Sequence, residues 1–139
     1  MIGLRELARK ARLAVGLALI KRSDDAPGIQ RLQLSILKGE VRDEVNRYQD
    51  YGFSSHARAG ASAVAVAIGG NRNHLAILVA DDPRYRKRDL AEGEVAIYHW
   101  EGDYILFRNG REIEVVAGAR VRVTAPEVII AASTRVQLE

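Results

Sequence analysis

The chain reads as an all-β protein with one short helix at its N-terminus and a C-terminal run of very short repeats that an assembly of copies must bury. Three observations predict this. Apolar residues alternate with period two in run after run from Val15 onward, the breaks between runs are turn sequences, and after Glu112 apolar pairs return every seven or eight residues. With 139 residues, 47% apolar and 28% charged, the composition is globular and fits one domain, or one domain with a short appendage. There is no cysteine, so disulfides and thiolate metal sites are excluded and stability must come from burial and assembly. The net charge is +3 and the positive residues gather at Arg5 to Arg12 and Arg84 to Arg88. Neither cluster is an unbroken run, and Asp81, Asp82 and Asp89 flank the second, so both read as solvated surface.

Leu4, Leu7, Ala8 and Ala11 fall at helical spacing, which predicts a short amphipathic helix over 3–11 within an N-terminal arm, 1–12. So short a helix barely holds in water alone, so a membrane surface, a neighbouring subunit or its own domain must receive its apolar side. Leu13 to Ile20 superficially resembles a signal-peptide core, but it holds Gly16, runs into Lys21-Arg22-Ser23-Asp24-Asp25 and lacks a small-x-small site. It is read as a strand in which Val15, Leu17 and Leu19 alternate. Asp24-Asp25-Ala26-Pro27-Gly28 is a turn, and Ile29 to Ile36 completes a hairpin ending at Gly39.

Glu40 to Phe53 is too polar for a core strand and is expected to be irregular, with Val41 and Val45 on one turn of helix. Its aromatics Tyr48, Tyr51 and Phe53 form a candidate contact surface, or else tuck back onto the sheet. Ala61 to Ile68 alternates through Val64, Val66 and Ile68, and His74 to Ala80 is apolar throughout. Gly69-Gly70-Asn71-Arg72-Asn73 joins them as a hairpin turn. A phosphate-binding loop would need a helix to follow, and a strand follows instead. Arg84 to Leu90 is a charged excursion, and Glu94 to Tyr98 and Tyr104 to Phe107 are strands with turns at Gly102-Asp103 and Asn109-Gly110.

The apolar pairs at the C-terminus are Ile113/Val115, Val121/Val123, Val128/Ile130 and Val136/Leu138, separated by Ala117-Gly118, Ala125-Pro126 and Ala132-Ser133. Burying two such side chains gives about 3 kcal/mol, against roughly 1–2 kcal/mol of backbone entropy for every residue ordered. One repeat alone cannot fold. Three chains wound about a common axis would bury these pairs continuously, with Arg120, Arg122, Glu127, Arg135, Gln137 and Glu139 outside. In the competing reading, residues 111–139 complete the domain as three hairpin strands.

Several of these segments match a known family. Glu40-Val41-Arg42-Asp43, Tyr48 to Ser55, Gly69 to His74, Asp81 to Arg86, Gly93 to Tyr98 and Val123 to Val128 occur in its order over nearly the whole chain. The sequence resembles the baseplate assembly protein V, or Mu-like tail spike, family of contractile-tailed phages. The resemblance implies an OB-like five-stranded barrel, expected over 13–110, and a trimeric triple-stranded β-helix beginning at 111–139. It implies a homotrimeric virion protein at the baseplate, assembled in the host cytoplasm, that plugs the tail tube and is driven into the outer membrane. Implied partners are the baseplate hub and tail tube proteins and, because this chain lacks the His-x-His pair of longer family needles, a separate tip protein unless the chain is a truncated piece. His56, His74 and His99 are isolated, so no metal, cofactor or catalytic residue is expected. The competing function is an OB-fold module for single-stranded nucleic acid. Such modules stack bases on aromatics within a basic groove. Here Tyr48, Tyr51, Phe53 and Tyr85 fall in expected loops, so nucleic acid is not an expected partner.

Overall fold

The computed structural model describes residues 2–12, 14–36 and 39–138 and divides into two compact units, Met1–Arg86 and Lys87–Glu139. In the first, helix α1 (Leu4–Arg12) opens with the Glu6 and Leu7 N–H groups both donating to the Gly3 carbonyl at 3.0 Å. Five strands follow: β1 (Val15–Asp24), β2 (Gln30–Ser35), β3 (Val41–Arg47), β4 (Ser62–Ala67) and β5 (Leu75–Asp81). They close into a barrel in the order β1-β2-β3-β5-β4, the OB-like arrangement. Leu13, expected at the start of the first strand, lies outside the described residues.

The ten-residue β1 serves two neighbours. Val15 to Leu19 pair with β4 and Leu19 to Asp24 pair with β2, with a register shift between Ile20 and Arg22. Such an irregularity bends a strand, which lets one strand pass from one side of a small barrel to the other. At the β1–β2 turn the Ala26 N–H donates to Asp24 Oδ1 at 3.1 Å, the self-capping that favours Asp in turns. Between β4 and β5 the chain turns through Ile68–Gly70, with Gly69 and Gly70 at φ 60° and 73°.

The segment Glu40 to Phe53 departs from expectation. Its first half is not irregular, and Val41 and Val45 do not share a helical turn: Val41–Arg47 is strand β3, paired antiparallel with β2. Only Val45 and Arg47 are buried, and the acidic residues before Val45 are paired across the ladder. Arg31 donates to Glu44 at 2.6 Å and Gln33 to Asp43 at 3.2 Å. Cross-strand pairing of this kind supports a strand that hydrophobicity alone does not reveal. A parallel contact of β3 with β5, Asn46 beside Ala76 and Arg47 beside Ile77, closes the barrel.

The core is narrow. Ile20, Leu32, Leu34 and Ile77 fill it, packed against Ala18, Ala61, Ala63 and Ala65. The alternation in β1 and β4 does mark strands, but its small members face inward; Leu17 is 75% exposed while Ala18 is buried.

The second unit holds a meander of β6 (Val95–Tyr98), β7 (Tyr104–Arg108) and β8 (Glu112–Val116), in the order β6-β7-β8. Thus the strands that close the barrel all lie within 15–81, while those at 95–98 and 104–108, expected within 13–110, pair with each other, and 104–108 pairs in turn with the first of the C-terminal repeats. Hairpin turns with Gly102 and Gly110 at φ 98° and 84° make that pairing local and easy to form. From Ala117 to Leu138 there is no helix or strand, and every residue is exposed.

Candidate assembly surface

The register of the small sheet decides which side chains share a face. Val95 pairs with Phe107 and Phe107 with Ile113; Ile97 pairs with Ile105 and Ile105 with Val115. Two rows of three large apolar residues therefore lie side by side on one face. None is covered: exposure runs from 38% at Ile105 to 63% at Ile113.

The opposite face is satisfied within the chain. Leu106 is buried there. Glu114 accepts from the Arg108 guanidinium at 2.9 and 2.6 Å, and the Lys87 ammonium sits 4.7 Å from the Tyr104 ring centre. Ion pairing with Glu114 holds the exposed Arg108 guanidinium above its ordinary pKa. The sheet thus leaves one face apolar and bare, the kind of ordered exposed patch that marks an interaction surface.

Beyond β8 the Gly118 N–H donates to Asp103 Oδ1 at 2.8 Å, tying the chain to the β6–β7 turn. The remaining apolar pairs then stand in water: Val121, Val123, Val128, Ile130, Val136 and Leu138 are all at least half exposed. Of the eight residues expected at a trimer axis, only Ile113 and Val115 belong to a strand of their own chain. Val95, Ile97, Ile105 and Phe107, which extend that face, were not among the sequence-based candidates. Their signal lay in the two alternating runs joined to Glu112–Val116 through Asn109-Gly110, which fixes the register.

The aromatic loop is held by a polar clasp in the barrel unit. Arg47 is buried, and its Nη1 donates to Gln30 Oε1 at 2.9 Å and to the Ser55 carbonyl at 2.8 Å; Nη2 donates to Ser55 Oγ at 2.9 Å. Gln30 Nε2 donates to Asp25 Oδ1 at 2.6 Å and to the Ser55 carbonyl at 3.0 Å. Burial pulls the Arg47 pKa down, partly offset by Asp25, although a guanidinium stays charged at any working pH. On this support Tyr48, Tyr51 and Phe53 all point to solvent, Tyr51 completely. The loop does not tuck back onto the sheet.

Leu4 and Leu7 on α1 are likewise exposed. His99, read as isolated, stands 3.7 Å from Asp103 and 3.9 Å from Glu101, half exposed, so the acids that follow it closely in the sequence are its neighbours. Among the described residues no three His, Asp or Glu side chains are grouped to hold a metal ion.

A model of the family described as "Bacteriophage Mu Gp45, N-terminal" matches residues 18–84, from the middle of β1 to just past β5. The baseplate puncturing device gp45 of Escherichia phage Mu is 33% identical over 141 residues, covering 96% of this chain and 72% of that protein. The chain belongs to the Mu gp45 family. A second gp45 relative, the Mu-like prophage FluMu protein gp45 of Haemophilus influenzae, is 40% identical over 108 residues. That match covers 77% of this chain and 59% of the prophage protein. The gp45 family match thus centres on the barrel, and the phage Mu alignment extends through the bare sheet and the exposed tail.

Proposed function

We propose that this gp45-family chain is a structural protein of a phage or phage-like baseplate, and that it works there as a homotrimeric central spike. Its task is mechanical: to plug the end of the tail tube, beside hub and tube proteins, and to pierce the host outer membrane on contraction. Catalysis has no part in it. The observation that carries the reading is the bare face of the small sheet, continued in sequence by Val121 to Leu138. The relative named a baseplate puncturing device supports the location and the task.

A balance of free energies supports assembly, and a threefold ring is the closed form proposed. Each of the exposed large apolar side chains contributes about 1.5–3 kcal/mol when fully buried, and one extended strand offers them no cover. Three copies around an axis give every chain the same two neighbours, so the interface is heterologous and closes. The outward charges of 119–139 remain in water. The chain's C-terminal segment is then the first part of an intertwined β-helix, formed on assembly.

Light scattering coupled to gel filtration of the intact chain tests this directly. The expected mass is that of three copies, falling to one copy for Val121→Asp or Ile130→Asp, because like charges would meet in a dry axis. A single folded copy at micromolar concentration with ordered C-terminal residues would refute the reading. Tight, strongly salt-dependent binding of single-stranded DNA would favour the nucleic-acid module in its place.

A further inference from the structure

Two apolar surfaces in the barrel unit are left uncovered, and their chemistry matches. The first is the outer wall across β1, β4 and β5. Its outward rows are Val15 beside Val66; Leu17 beside Val64 and Val79; and Leu19 beside Ser62 and Asp81. Leu17 is 75% exposed, Val15 61% and Val79 52%. In these rows Asp81 is the one charged residue, and it is an acid.

The second surface is α1. It is nine residues long, too short to hold by its own propensity, and among the described residues no strand packs extensively against it. Leu4 is 86% exposed and Leu7 57%. The charged residues of the helix are Arg5, Arg9, Lys10 and Arg12 against a single acid, Glu6. A basic amphipathic helix with exposed leucines and an apolar wall rimmed by an acid thus occur on the same chain.

We propose that α1 of one copy lies on the β1–β4–β5 wall of the next copy around the trimer. This rests on the trimeric reading of the protein and adds a second, separate contact to it. Leu4 and Leu7 cover Leu17 and Val79, and the basic side of the helix faces Asp81. A contact between two unlike surfaces is heterologous; under threefold rotation every helix and every wall is used once, and no sticky surface is left to recruit a fourth copy. Helix formation is then coupled to assembly.

The chain has no cysteine, so engineered thiols report without background. Tagged Leu7→Cys and untagged Leu17→Cys chains are co-expressed, oxidised and run on non-reducing gels, with light scattering on the same samples. The expected result is a disulfide between tagged and untagged chains at least tenfold above that of either variant alone. Leu4→Cys with Val79→Cys repeats the test at a second position, since a disulfide forms only at favourable Cβ geometry. A three-copy mass with no mixed disulfide at either pair overturns the helix placement and leaves the trimer standing. A one-copy mass overturns both. Cross-linking confined to one chain in the Leu7→Cys/Leu17→Cys double variant assigns the helix to its own barrel and also overturns the proposal. Flotation with anionic vesicles that Leu4→Asp abolishes, without a mixed disulfide, assigns it to a lipid surface and has the same consequence.

Discussion

Replacing Arg47 by Met keeps most of the buried stem and removes the guanidinium that joins β3 to the aromatic loop. Three hydrogen bonds disappear, to Gln30 Oε1, the Ser55 carbonyl and Ser55 Oγ. The losses are unequal. The Ser55 carbonyl keeps Gln30 Nε2, and Ser55 Oγ keeps Gln49 at 3.2 Å, whereas Gln30 Oε1 loses the partner that Arg47 supplied. A buried acceptor left without a donor costs about 1–3 kcal/mol, and hydrogen bonds from a charged donor contribute about 1.5–3 kcal/mol each. The guanidinium was itself partly desolvated, so removing it recovers some of that cost, and the net loss should be about 2 kcal/mol. Urea unfolding at fixed protein concentration measures it, since self-association of any chain makes apparent stability concentration-dependent. Amide exchange gives the local counterpart: Phe53 and Ser55, whose N–H groups donate to the Asp50 carbonyl and to Gln49 Oε1, should exchange faster in Arg47→Met, while Ile20 should not. Stability within about 0.5 kcal/mol of wild type, with unchanged exchange at Phe53 and Ser55, would refute the clasp as the support of the loop; that threshold is the scatter of ordinary surface substitutions.

Ile105→Asp should leave one copy of the barrel folded by circular dichroism, because Ile105 is already 38% exposed, yet lower the mass in light scattering from three copies to one. Gly60→Ala should destabilise by about 1–2 kcal/mol, the cost of placing a side chain in the left-handed region. Gly60 stands at φ 89°, where an added Cβ would meet Arg84 Nη1 at 2.7 Å, and thermal unfolding reads the loss. Hydrogen bonds from Arg84 hold the Asp82 carboxylate below its ordinary pKa. Its contribution is therefore present above the unfolded carboxylate value and lost as pH falls through the folded one. Wild type should exceed Asp82→Asn in stability at neutral pH, and the difference should vanish on acidification; a gap that grows toward low pH would contradict the pairing.

Local features of the fold were legible because their causes are local. Asp24 to Gly28 turns because Asp24 caps its own backbone, and Asn109-Gly110 sets a hairpin because Gly110 supplies the positive φ. Strand β3 was not legible, since its support is non-local: Arg31 and Gln33 on β2 answer Glu44 and Asp43, and β5 closes its far side. The inward face was hard to read for a different reason. In a barrel of five strands there is little room inside, so alanines pack there, and the bulky Val15 and Leu17 that dominate the hydrophobic pattern are turned outward.

That inversion bears on function. In an ordinary small domain the largest apolar residues go to the core, and the surface is left with scattered ones that need no explanation. Here ordered rows of Val, Leu, Ile and Phe sit outside in both units: Val15, Leu17 and Val79 on the barrel wall, and Val95, Ile97, Ile105, Phe107, Ile113 and Val115 on the small sheet. Patterns this regular reflect pairing register and cannot arise from loose packing. Under the proposed trimer these rows are buried by other copies, so stability should depend on protein concentration. Unfolding midpoints measured over a hundredfold dilution should therefore fall as the protein is diluted. A midpoint that stays constant across that range would show that these rows are not buried by other copies.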